Sequence, residues 1–148
     1  MASAGYYPPP GFHFKVEFDI SSDDNDTRFQ SVAGLTVEFE TESFKEGGEN
    51  RFEHVLPVRT KYPDLVLKRG FLTKDSRIFE WCMKAFQERD FKLSNIIVKL
   101  LNEEHEPLKT WKIVGAYPKK WTVSDLNAES NTIAVESFEL HYKYFTIG

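Results

Sequence analysis

The chain has 148 residues, the size of one ordinary domain, and its 41% apolar and 15% aromatic content marks a folded rather than a disordered sequence. A formal charge of −4 leaves no electrostatic footprint for nucleic acid, and a single cysteine excludes an internal disulfide. No apolar run approaches the roughly 20 residues that span a bilayer, and the opening MASAGYYPPPG lacks the basic and apolar regions of a secretory signal. Thirteen phenylalanines against two methionines favour pleated, half-buried surfaces.

Residues 1–11, rich in Pro and Tyr, read as an extended arm. FHFKVEFDI then alternates cleanly, with Phe12, Phe14, Val16, Phe18 and Ile20 on one face and His13, Lys15, Glu17 and Asp19 on the other, which predicts a half-buried antiparallel strand. SSDDNDT is a polar loop and RFQSVAG a shorter strand. LTVEFETESF alternates again, Leu35, Val37 and Phe39 against Thr36, Glu38, Glu40 and Glu42; EGGEN turns and RFEHVLPV returns. Gly47 and Gly48 suit a tight turn that needs positive φ, and Pro57 belongs at an edge or a strand end. LVLKRGF is a further strand.

The period changes over Ser76–Arg89, where Ile78, Phe79, Cys82, Met83, Ala85 and Phe86 form one helical stripe with Trp81 at its margin. Asp75 or Ser76 is the expected N-cap, and the helix, roughly 20 Å long, can lie across one sheet. NIIVKLL is apolar on both faces and reads as a central strand; LKTWKIVGAYP follows after the NEEHEP turn. In IAVESFELHYKYF the apolar residues move from odd positions (Ile133, Val135) to even ones (Phe138, Leu140, Tyr142, Tyr144), which predicts a bulge or sheet switch near Glu136–Ser137. The expected fold is mainly β, one domain over 1–148: a β-barrel or sandwich of about seven or eight strands with one flanking helix.

Candidate chemistry is sparse. His13, His54, His105 and His141 lack a second ligand at useful spacing, and EEHE sits in a turn beside Pro107, so no metal site is expected. No GxSxG, P-loop or dinucleotide fingerprint occurs, and Cys82 lies on the apolar stripe, so neither a catalytic residue nor a cofactor is expected. Two features stand out. Glu38, Glu40 and Glu42 form an acidic row, which is either a solvated strand face or the wall of a water-filled passage. Trp81 either closes the edge of the core or anchors an interface.

The order of signals carries a resemblance. SVAGLTVEFETESFKEGGENRFEHVLP, then LVLKRGF and IFEWC, then WKIVGAYPKKW resemble the tail-tube family of contractile phages, and most of all the inner-tube proteins of phage-like extracellular contractile injection systems. That family is related to the haemolysin-coregulated protein of type VI secretion. The resemblance implies a tail-tube-like barrel whose subunits form hexameric rings, stacked into a hollow tube inside a contractile sheath. Implied partners are further copies of the chain, the sheath, baseplate and spike proteins, a tube terminator cap, and cargo or a tape-measure protein in the lumen. Neither membrane insertion as a monomer nor sequence-specific nucleic-acid binding is implied. Assembly in the bacterial cytoplasm and residence in a virion or a released particle follow from the same likeness. It assigns the hairpin end, Phe44, Lys45, Glu46, Gly47, Gly48, Glu49, Asn50, Arg51 and Phe52, to contacts between subunits and rings. Trp81 joins these as an interface candidate, and Glu38, Glu40 and Glu42 as a lumen face. A tube-initiating baseplate ring protein and, in another class, a small-ligand-binding β-barrel are the alternatives.

Overall fold

The computed structural model describes residues 13–21, 29–44, 54–70, 76–129 and 134–148. Among these, β1 (His13–Phe18), β2 (Ser31–Ala33), β3 (Glu38–Phe44), β4 (His54–Lys61) and β5 (Leu65–Gly70) precede the helix α1 (Arg77–Glu88). β6 (Ser94–Leu101), β7 (Pro107–Val123), β8 (Val135–His141) and β9 (Tyr144–Ile147) follow it. A seven-stranded sheet runs β1-β6-β7-β8-β5-β2, with β9 also paired to β7, while β3 and β4 pair with each other as a separate ribbon.

The alternation in β1 places Val16 and Phe18 in the core, with Phe14 packed against it, and leaves Lys15 and Glu17 outside. β6, apolar on both faces, is flanked by β1 and β7 as an interior strand should be. β7 is a single strand of 17 residues that belongs to both halves of the sheet. Its first part pairs with β6 and β9, and Tyr117–Val123 pairs with β8. Gly115 marks a bulge between these parts at φ +69, where a Cβ would stand 3.0 Å from the Lys143 side chain.

The two halves meet through aromatic side chains. Phe18 of β1 lies 6.4 Å from Phe29, and Phe29 lies 6.1 Å from Phe138 of β8. Leu65, Leu67, Ile96, Val98, Ile113 and Leu140 fill the remainder, all buried from solvent. A second aromatic set, Tyr62, Tyr142 and Phe145, closes the other end.

The helix begins at Ser76, whose Oγ accepts from the Phe79 amide at 3.1 Å, and ends with Arg89 in the left-handed region. Its buried residues are Ile78, Trp81, Cys82 and Ala85, and this corrects the expected stripe. Trp81 is only 6% exposed, at one edge of the buried face, whereas Phe86 is exposed. The indole is drawn inward because its Nε1 donates to the Lys92 carbonyl at 2.6 Å while the ring meets Phe18 edge-on.

The predicted bulge at Glu136–Ser137 is absent. β8 keeps unbroken register with β5 from Leu65↔Leu140 to Gly70↔Val135, and its inward face is the even one. Glu136 holds an inward slot, 2% exposed, because Arg69 stands directly across from it. The Arg69 Nε donates to Glu136 Oε2 at 2.9 Å and its Nη2 to Ser76 Oγ at 2.7 Å; the Trp121 Nε1 donates to Glu136 Oε1 at 2.8 Å. The change of phase falls later, at Lys143, where the amide donates to the Val114 carbonyl and the chain passes into β9. Ile133 lies outside the described residues.

Candidate assembly interface

The β3–β4 ribbon departs from the main sheet just after Gly34. That position requires glycine on two counts: its φ is +96, and a Cβ there would stand 2.2 Å from the Asp64 carbonyl oxygen. Leu35 still packs on the core, but Val37 and Phe39, expected to face inward with it, are exposed, Phe39 by 64%. On the return strand Leu56 and Val58 are exposed too. Alternation in this segment tells apart the two faces of a ribbon, neither of which rests on the body.

Register assigns the faces. Glu38 stands across from Lys61, Glu40 from Arg59 and Glu42 from Leu56, with a bulge between Glu40 and Thr41 where Thr41 meets Pro57. Arg59 Nε lies 3.0 Å from Glu40 Oε2. The acidic row is therefore interrupted at its middle by a cross-strand cation. Phe44 ends β3 opposite His54, while Lys45, Glu46, Gly47, Gly48, Glu49, Asn50, Arg51 and Phe52 lie outside the described residues. Trp81 is 6% exposed, its indole packed on the core.

Burial pushes the Cys82 thiol far up, away from the thiolate that nucleophilic chemistry needs. Burial likewise raises the Tyr142 hydroxyl to about 12. His13 Nε2 and His105 Nδ1 lie 2.9 Å apart, tying β1 to the β6–β7 turn, and His141 approaches Asp64 at 3.4 Å. Burial works against ionisation of Asp64, but hydrogen bonds from Lys119 (2.7 Å) and His141 outweigh it and hold the carboxyl below its ordinary value. Among the described residues no cluster of three or more His, Cys, Asp or Glu could hold a metal, and no helix is long and apolar enough to cross a membrane.

Among the described residues the body is mainly β, with one helix and a separate two-stranded ribbon. The family model for the T4-like virus tail tube protein gp19 matches residues 10–146, and the chain belongs to that family. Comparison with curated proteins gives no match. Among solved structures, a chain of the six-fold symmetrised cryo-EM structure of the anti-feeding prophage baseplate is 25% identical, covering 100% of this chain and 97% of that one at a TM-score of 0.78. A chain of the extended PVC sheath–tube complex, an extracellular contractile injection system, shares the fold at 24% identity, TM-score 0.76 and coverage of 97% and 93%. Hcp1 from Flavobacterium johnsoniae shares it more distantly, at 16% identity, TM-score 0.53 and coverage of 91% and 94%. The family is one of structural tube proteins, and the relatives are components of phage tails or extracellular contractile particles.

Proposed function

We propose that the chain is the repeating subunit of the inner tube of a contractile injection system or phage tail. Six copies close into a ring, and rings stack into a hollow conduit that sheath contraction drives through a target envelope. In this role the chain catalyses no reaction and contacts a sheath, a baseplate with its spike, a terminator cap and a cargo in the channel. The observation that carries the reading is the β3–β4 ribbon. Two paired strands with both faces bare are marginal in water, so such a ribbon is built to be covered. Ring closure needs unlike surfaces on each subunit, and a projecting hairpin supplies one of them. The hairpin end from Phe44 to Phe52 takes the contacts between subunits and rings, with Lys45, Glu46, Glu49 and Arg51 as its ion-pairing groups. Two places are open to Glu38, Glu40 and Glu42: the channel wall and a seam between subunits.

A baseplate ring protein that starts the tube is a second reading, favoured by the likeness to a chain of the anti-feeding prophage baseplate. Negative-stain microscopy and sedimentation of the purified protein over a wide concentration range separate the readings. The tube subunit forms rings that stack as concentration rises, and a tube initiator stops at one ring. A strict monomer at every concentration would overturn both.

A further inference from the structure

Beside the helix, on the flank opposite Phe86, lies a cleft of about 280 Å³ lined by Ile20, Arg77, Glu80, Trp81, Lys84 and Lys92. Three cations meet one carboxylate there. Among the described residues the ion pairs join other side chains, and none ties down Arg77, Lys84 or Lys92. The geometry is fixed from beneath. The Trp81 indole bonds to the Lys92 carbonyl, which pins the segment after the helix beside Lys84. Arg77 and Lys84 are seven residues apart, so they share one flank about 10 Å apart along the helix.

The opposite chemistry stands on the ribbon. Glu40 is neutralised by Arg59, and Lys61 stands across from Glu38, but among the described residues no cation comes within ion-pairing distance of Glu38 or Glu42. These two carboxylates point to the same face of β3, four residues and about 13 Å apart. The spacing matches that of Arg77 and Lys84 to within the reach of the side chains. Leu56, across from Glu42, adds an exposed apolar group to that face.

We infer that the acidic face of β3 in one copy docks in the cationic cleft beside the helix of a second copy, Glu38 and Glu42 meeting Arg77, Lys84 and Lys92. The contact rests on the tube-subunit reading and names the surface its hairpin meets. It is head-to-tail, joining two unlike patches, as a closed ring requires. Opposite charges across it set the register and reject wrong alignments, because like charges juxtaposed in a seam repel.

Charge reversal tests it in the full-length chain. E38K/E42K and K84E/K92E are each expected to lower the fraction of protein in rings by roughly tenfold or more, since each places like charges together. The combination of all four substitutions restores opposite signs and is expected to recover rings. Thermal melts by circular dichroism establish that each monomer folds. Should a reversal unfold it, the neutral versions E38Q/E42Q and K84Q/K92Q repeat the test with side-chain length nearly kept. Wild-type rings beside K84E/K92E rings of equal yield overturn this contact alone. So do E38K/E42K tubes of normal yield, which would place the row on the channel wall, and folded quadruple variants that assemble no better than the parents. Intact rings that lose only binding to a sheath protein would assign the cleft to the sheath and overturn it too. A wild-type chain that stays monomeric overturns the tube reading and this contact together.

Discussion

Arg69 and Glu136 are 3% and 2% exposed, and the guanidinium's Nε and Nη2 and both carboxylate oxygens are hydrogen-bonded. The guanidinium also lies over the rings of Phe29 and Phe138, at 5.3 Å and 5.1 Å. Such a pair stabilises little against apolar residues of equal volume but costs about 3–5 kcal/mol when one partner alone is removed. E136A and R69A are therefore expected to lower stability in urea melts by that order, and R69M/E136L by much less. Asp64 supplies a pH test. Its folded carboxyl is held below the ordinary 3.8, so the stability it contributes is full above 3.8 and fades as pH falls through the lower, folded value. The pair with Lys119 is largely exposed, so the effect is small. D64N is expected to melt slightly below wild type at neutral pH, the two curves converging on acidification below pH 3.8. A D64N curve parallel to wild type down to strong acid would exclude the Lys119 and His141 bonds as the cause.

At the scale of elements, the ribbon and the helix behave oppositely. Exposed Phe39 and Leu56 contribute almost nothing to the isolated fold, so F39S/L56S is expected to leave the monomer melting point within a few degrees and to remove higher assemblies in sedimentation. Loss of monomer stability instead would show that the ribbon packs on its own body. The difference explains what the sequence could reveal. Alternation identified β1 and both strands of the ribbon, because period two is a property of each strand by itself. It could not say whether a core lies beneath the apolar face of β3. Glu136 was illegible for a related reason: a charged residue reads as outward until its partner, 67 residues away, is placed beside it. The burial of Trp81 was hidden because Phe79, Met83 and Phe86 pulled the apparent stripe towards the other flank.

For the whole molecule, the order of its motifs gave away the architecture more completely than any one element did. The family signature spans the hairpin, the helix and the long strand, and each is weak alone. What it left unread was how the halves join, since LKTWKIVGAYP reads as a strand ending at Pro118 whereas β7 runs on without a break to Val123. Cys82 has a practical consequence at this scale. It is the chain's only cysteine, wholly buried, its thiol held protonated by burial, so the folded protein offers thiol reagents a silent background. Cysteines introduced at position 42 in one copy and 84 in another can then be joined by oxidation or by a short bifunctional maleimide. The spacing of neighbouring subunits becomes a length measured on a denaturing gel.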